Sequence, residues 1–339
     1  MRTKPRVVIV SPAAAADNNG NWHTAARWRR FLAPIAEVAV AQAWDGAPAD
    51  LLIALHARKS AAAVERFRAA DPQRPVALVL TGTDLYRDLD TDASARHAVE
   101  CASRLVVLQP AALHRLDAGA RAKATVIVQS AARRVRHDQA RHTIDFVAVG
   151  HLRAEKDPLT LMAAVRALPP ELPLRVLHIG AALDPALGEA ARRTMADCPR
   201  YRWLGPLPQP AARRWIARAG ALVHMSRLEG GANVVIEAVR SRVPVLASRI
   251  DGNLGLLGDG YEGYFAPGEP AALAALMERY CVDPALRARL TAQVGALEPG
   301  FAPAVEADRV RRLVIELLGG AAPRPGGTMG APIAPKAAP

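Results

Sequence analysis

The chain has 339 residues, 51% hydrophobic, 4% aromatic and 22% charged, a balance that supports a buried core and excludes a chain disordered throughout. Cys101, Cys198 and Cys281 are odd in number and far apart, which argues against a disulfide scaffold or a cysteine metal site, and no stretch approaches the roughly 18 apolar residues of a membrane span. The net charge of +12 comes from scattered arginines, with only Lys4, Lys59, Lys123, Lys156 and Lys336 as lysines, and predicts a solvated basic surface that suits small anions rather than a nucleic-acid interface.

At roughly 150 residues per domain, the length predicts two domains. The chain opens with Arg2, Lys4 and Arg6 before VVIVSPAAAA, but Ser11-Pro12 breaks the apolar run. This reads as a strand and loop rather than an export signal, so a soluble cytoplasmic protein is expected. Continuous apolar runs follow at Arg6–Val10, Glu37–Ala41, Leu51–Leu55, Val76–Leu80, Arg104–Leu108 and Thr125–Gln129. Runs without alternation suit strands covered on both faces, as in a parallel sheet. Helix-period segments lie between them at Trp22–Leu32, Lys59–Ala69 and Ala93–Ala102.

The arginine-rich, apolar-poor stretch Ala131–His142, holding Arg133, Arg134, Arg136 and Arg141, is the linker candidate. A second series of strands then runs Ile144–Gly150, Leu174–Gly180, Tyr201–Gly205, Ala221–Met225, Val243–Ser248 and Tyr264–Ala266. Helices fit between them at Pro158–Ala167, Pro185–Ala196, Pro210–Ala219 and Asn233–Arg240, three of them opening on proline, which a first helical turn tolerates. The expected organisation is α/β, with two doubly wound, Rossmann-like parallel-sheet domains facing each other across a cleft. The boundaries fall at 1–140 and 141–300, with a helix at 301–318 and a Gly/Pro/Ala-rich disordered tail at 319–339. Ligands of such sheets bind beyond the carboxyl ends of the strands.

The most informative loop is SRLEGGANVVIEAV, Ser226–Val239. Gly230 and Gly231 permit close backbone approach, and the helix start at Ala232-Asn233 offers free N–H groups to an anion. Glu229 precedes that helix and Glu237 lies a turn inside it, so the two can reach opposite ends of one ligand. Followed by PVLAS (Pro244–Ser248), this segment resembles the retaining nucleotide-sugar glycosyltransferases of the GT-B fold known as GT4. The resemblance implies that Glu229 meets donor-sugar hydroxyls, Glu237 holds the ribose, and the helix start between them takes the diphosphate.

The loop GHLRAEKDP, Gly150–Pro158, matches a second GT4 element. Lys156 falls on the lysine that neutralises the leaving diphosphate. His151 replaces the usual arginine, and Arg153 stands two residues on as its substitute. Such fixed cations would stabilise the departing nucleotide. Arg242 stands where the family commonly has glycine.

Three further stretches depart from general GT4: NNGNWHTAARWRRFL near the amino terminus, LTGTDLYRDL (Leu80–Leu89) and Ala247–Gly268. Together they resemble the selenosugar synthases of selenoneine biosynthesis, a GT4-like branch, over about residues 5–318. That resemblance implies transfer of N-acetylglucosamine from UDP-GlcNAc to the selenium of selenophosphate, with release of UDP and phosphate, alongside other enzymes of selenium metabolism. The first loop, with Asn18, Asn19, Gly20, Asn21 and Thr24 at a helix start and His23 and Arg27 nearby, is then the expected oxyanion site. Thr83 joins it, and Asp84 is the one candidate catalytic carboxylate of the first domain, with a helix cap as its alternative. His56 and His114 read as structural or surface histidines. A soft selenium nucleophile needs no strong base, and no Ser-His-Asp set stands in the sequence. No Asp-x-Asp pair stands at a strand end and the histidines show no zinc spacing, so Mg²⁺ is not expected to be essential and no cofactor is required. The base would rest on LHIG and WLGPL (Leu177–Gly180 and Trp203–Leu207). A GT4-like transferase with a hydroxyl acceptor is the nearer alternative, and a basic binding protein the more distant one.

Overall fold

The computed structural model describes residues 4–14, 16, 19–135 and 143–319. Asn18, Arg136, Arg141, the rest of the linker from 136 to 142 and the tail from 320 lie outside the described residues. The first sheet holds β1 (Arg6–Val10), β2 (Glu37–Ala41), β3 (Leu51–Leu55), β4 (Val76–Leu80), β5 (Arg104–Val107) and β6 (Ala124–Val126). Their spatial order is β2-β1-β3-β4-β5-β6, and every pairing is parallel. All five residues of β3 and of β4 are buried, as their continuous apolar runs require when both faces are covered by helices.

The second sheet holds β7 (Ile144–Val149), β8 (Leu174–Ile179), β9 (Tyr201–Trp203), β10 (Ala221–His224), β11 (Val245–Ser248) and β12 (Tyr264–Phe265). Its order, β12-β11-β10-β7-β8-β9, is again parallel throughout. Each sheet reverses its winding at one point: between β1 and β3 in the first, and between β7 and β10 in the second. A crevice opens where neighbouring crossovers leave in opposite directions. Topology therefore places the loops after β1 and β3 at the crevice of the first sheet, and those after β7 and β10 at the crevice of the second.

The sixth strand is shorter than expected, ending at Val126, and Gln129 instead turns its side chain inward to Thr24. The helix Pro303–Leu317 returns to the first sheet, where Val310, Leu313 and Val314 join Trp28, Leu32, Val7 and Ile9 in one core cluster. Arg242 has φ 55°, a left-handed conformation that costs a residue with a Cβ about 1–2 kcal/mol and explains why glycine suits this position.

Candidate active site

Between the two sheets lies a cavity of about 300 Å³, lined from both domains. On one wall stand residues from the loops after β1, β3 and β4; on the other, residues from the loops after β7 and β10 and the helix Asn233–Arg240. The loops nearly interlock. A Cβ on Gly230 would sit 2.4 Å from the carbonyl oxygen of Thr81, and one on Gly82 would sit 3.0 Å from the Gly230 nitrogen. Glycine is therefore required at both positions for this degree of closure.

Glu229 is the electrostatic centre of the second-domain wall. Lys156 donates to its Oε1, Ser226 donates its O–H to the same atom at 2.7 Å, and His224 Nε2 lies 3.3 Å away. Burial by itself would raise the Glu229 carboxyl, but Lys156 and His224 outweigh it and hold the group well below the usual carboxylate range. Glu229 is thus an anion whose Oε1 is saturated, and among the described residues Oε2 has no side-chain partner. The helix Asn233–Arg240 starts beside it with no side-chain cap, so its first N–H groups line the cavity unclaimed. That is an anion seat flanked by cations.

His151 accepts a hydrogen bond from the Ala181 N–H on Nδ1 at 3.1 Å, which leaves the proton on Nε2. Burial, together with Arg153 and Lys156, lowers its pKa, so at neutral pH it is a neutral donor. Arg153 lines the same wall, its Nε 3.9 Å from Glu155.

Glu237 behaves differently. It is buried, takes a bond from Gln209 Nε2 at 3.1 Å, and lies 3.6 Å from Arg213 Nε. Here burial prevails over Arg213 and Gln209, and the carboxyl is pushed up to about 7. Ile179, Gly180, Pro206 and Leu207 line the adjoining end of the cavity.

The structure brings Glu229, Lys156, Arg153, His23, His151, Gly230, Gly231, Ala232, Asn233, Glu237, Asn19, Gly20, Asn21 and Thr83 to this one cavity. Three expected members are elsewhere. Asp84 is fully buried and spends both oxygens on the backbone N–H groups of Thr81, Gly82 and Ala57, at 2.7–3.1 Å, so it is a structural cap rather than a catalytic acid. Thr24 donates its O–H to the Gly20 carbonyl and accepts from Gln129, facing inward. Arg27 points away to Glu306, Nε to Oε2 at 2.7 Å, in a buried set that includes Trp28 Nε1 and Ser130. Asn19 also spends its side chain, capping Asn21 and Trp22.

Other cavity residues were not legible from motifs. His56 and Lys59 come from the loop and helix start after β3, and Gln209 from the helix Gln209–Arg218. His224, buried with Nδ1 unpartnered, and Ser226 sit behind Glu229 at the end of β10. For His56, Lys59, His224 and Ser226, position at carboxyl ends of strands beside a winding reversal is the signal, and it requires the strand order; Gln209 follows the edge strand β9 and carries no such signal. Among the described residues no group of three or more His, Cys, Asp or Glu side chains could hold a metal ion.

Two parallel six-stranded sheets facing across a ligand-sized cleft define the GT-B architecture. Residues 143–283 match the family Glycosyl transferases group 1. The chain is 33% identical over 154 residues to a D-inositol 3-phosphate glycosyltransferase of Streptomyces avermitilis, covering 42% of this chain and 33% of that one. It is 28% identical over 159 residues to glycosyltransferase 1 domain-containing protein 1 of Xenopus tropicalis, covering 46% and 45%. The chain thus spans a third to somewhat under half the length of these curated relatives. The Anabaena protein Alr3699/HepE in complex with UDP-glucose superposes with a TM-score of 0.74 over 92% of this chain and 100% of that one, at 15% identity, a likeness of fold. No described helix is long and apolar enough to cross a membrane.

Proposed function

We propose that the protein is a glycosyltransferase that takes N-acetylglucosamine from UDP-GlcNAc and joins it to the selenium of selenophosphate in the cytoplasm. The observation that carries the transferase reading is the pairing of an uncapped helix start with Lys156 and a deeply ionised Glu229 at the domain junction. In that reading the diphosphate lies on the N–H groups of Asn233 and Val234, with Lys156, Arg153 and the His151 Nε2–H around it. Glu229 Oε2 accepts from sugar hydroxyls, and Glu237 accepts from the ribose. The fold neighbour from Anabaena holds UDP-glucose, which supports a UDP-sugar as donor.

A selenium lone pair forms the bond to the anomeric carbon while the bond from that carbon to the diphosphate oxygen breaks, its electrons leaving on UDP. Water then cleaves the selenium–phosphorus bond and releases phosphate. Preorganised donors facing the leaving group act where charge develops, and each is worth about 3–4 kcal/mol when removed from comparable sites. With those cations in place, no metal is needed to neutralise UDP, and turnover should persist in EDTA.

Mass spectrometry of purified protein with UDP-GlcNAc, with and without selenophosphate, tests this. The expected result is a selenium isotope pattern on an acetylhexosamine mass, stoichiometric UDP, and loss of both in Glu229→Gln. UDP release only with a hydroxyl acceptor would replace selenophosphate; no UDP release would remove the donor.

A further inference from the structure

The cavity wall formed by the first domain has a polar corner distinct from the loop expected to bind the acceptor. His56 is buried, has φ 74°, and caps the helix Ala57–Ala70. Its Nδ1 accepts from the Lys59 N–H at 3.5 Å, so the ring proton resides on Nε2, which donates to Thr83 Oγ1 at 3.0 Å. Burial lowers the pKa of His56; Asp84 and Asp88 raise it while Lys59 and Arg58 lower it, and the net direction keeps the ring neutral. With its oxygen occupied as acceptor, the Thr83 hydroxyl has its own proton to give to the cavity it lines. The Lys59 side chain lines the same corner and has no hydrogen-bond or ion-pair partner among the described residues. Asp84 Oδ2 and Asp88 Oδ2 each lie 3.9 Å from the His56 ring, but their hydrogen bonds are committed to backbone N–H groups and to Arg58 and Arg87.

We infer that Lys59 and Thr83, with Thr83 oriented by His56, hold the phosphate end of the acceptor. The corner supplies an ammonium and a hydroxyl donor and no free carboxylate, which is the chemistry of a small phosphate oxyanion. It also adjoins the transfer point, because Thr81 and Gly82, the residues before Thr83, are in backbone contact with Gly230, the residue after Glu229. A phosphate pinned here presents its substituent toward the donor sugar. The helix start after β1 is less suited, since Asn19 already caps it and Arg27 is bound to Glu306. The inference rests on the acceptor half of the proposed function and is indifferent to whether the phosphate carries selenium or a polyol.

Inorganic phosphate, titrated calorimetrically into the protein with and without saturating UDP, is the probe. The expected result is phosphate binding in the presence of UDP that weakens at least tenfold in Lys59→Met and three- to tenfold in Thr83→Val. Lys59→Arg should stay within threefold, and UDP affinity within twofold in all three. Of selenophosphate and a phosphorylated polyol, tested as acceptors, the one that turns over identifies the source and should show the Lys59→Met defect in KM rather than kcat. Phosphate binding unchanged in Lys59→Met, or absent with UDP bound, overturns the inference while leaving the donor site intact. Failure to bind UDP, with phosphate binding still dependent on Lys59, would instead overturn the donor reading alone.

Discussion

Lys156, in the loop after β7, donates to Glu229, in the loop after β10, and so joins the two strand ends between which the second sheet reverses its winding. The pair is nearly buried, with side-chain exposures of 19% and 11%, and neither charge has bulk water as a sufficient alternative. A bound diphosphate would compete for the lysine, so donor entry and the ionisation of Glu229 are coupled.

Replacing Glu229 by glutamine should lower kcat at least a hundredfold while UDP affinity changes less than fivefold, because the proposed diphosphate contacts do not involve its carboxylate. The folded-state pKa of Glu229 is depressed, so its contribution to stability is present above the unfolded carboxylate value and is lost as pH falls through the folded one. Urea unfolding at pH 7 and at pH 3 checks this: the variant should be less stable at pH 7, with the gap narrowing at pH 3.

Glu237 carries the opposite shift. Its carboxyl, raised to about 7 by burial, is partly protonated in the empty site at neutral pH. In the proposed donor pose the ribose hydroxyls donate to the ionised form, so UDP affinity should rise between pH 6 and pH 8 and binding should release a proton. Calorimetry in buffers of different ionisation enthalpy measures that release, which should vanish in Glu237→Gln with an approximately tenfold loss of affinity. The sign for folding also differs: the stability this group contributes is present below the unfolded carboxylate value and is lost as pH rises through about 7.

Gly230→Ala places a methyl group where the Thr81 carbonyl now stands, and backbone cannot yield as a flexible side chain would. The domains should part instead, which costs little folding energy because each keeps its own core. A melting temperature within about 3 °C of the parent, a larger radius of gyration by X-ray scattering, and kcat/KM down at least tenfold are expected. An unchanged radius and rate would show that the loops do not set closure.

Arg27 and Glu306 form a buried pair, the glutamate fully so. Removing one member leaves an uncompensated charge, and Glu306→Ala should cost about 3–5 kcal/mol in urea unfolding. Arg27→Ala should also destabilise, yet leave acceptor KM within twofold once folded protein is selected. A large rise in KM would return Arg27 to the acceptor site.

Much of the architecture was legible in the chain. Apolar runs marked the strands, and inner ones such as β3 and β4 read as continuous because a strand buried on both faces has no polar side to alternate with. The second-domain loops were also legible: Glu229, the glycines, Asn233 and Glu237 are close in sequence, and a helix start carries its chemistry locally. Lys156 was reachable through the GT4 resemblance.

What the sequence could not determine was every contact made by distant segments. Asp84 reads as a catalytic candidate until folding brings Ala57, 27 residues away, onto its carboxylate. Arg27 reads as a substrate ligand until Glu306, 279 residues away, claims it. His56 and Lys59 reach the cleft only because β3 lies beside β1 with the opposite winding. Local spacing and burial pattern encode which elements form. Which side chains remain free to meet a ligand depends on long-range partners, and those exist only once both sheets have assembled and the last helix has returned to the first.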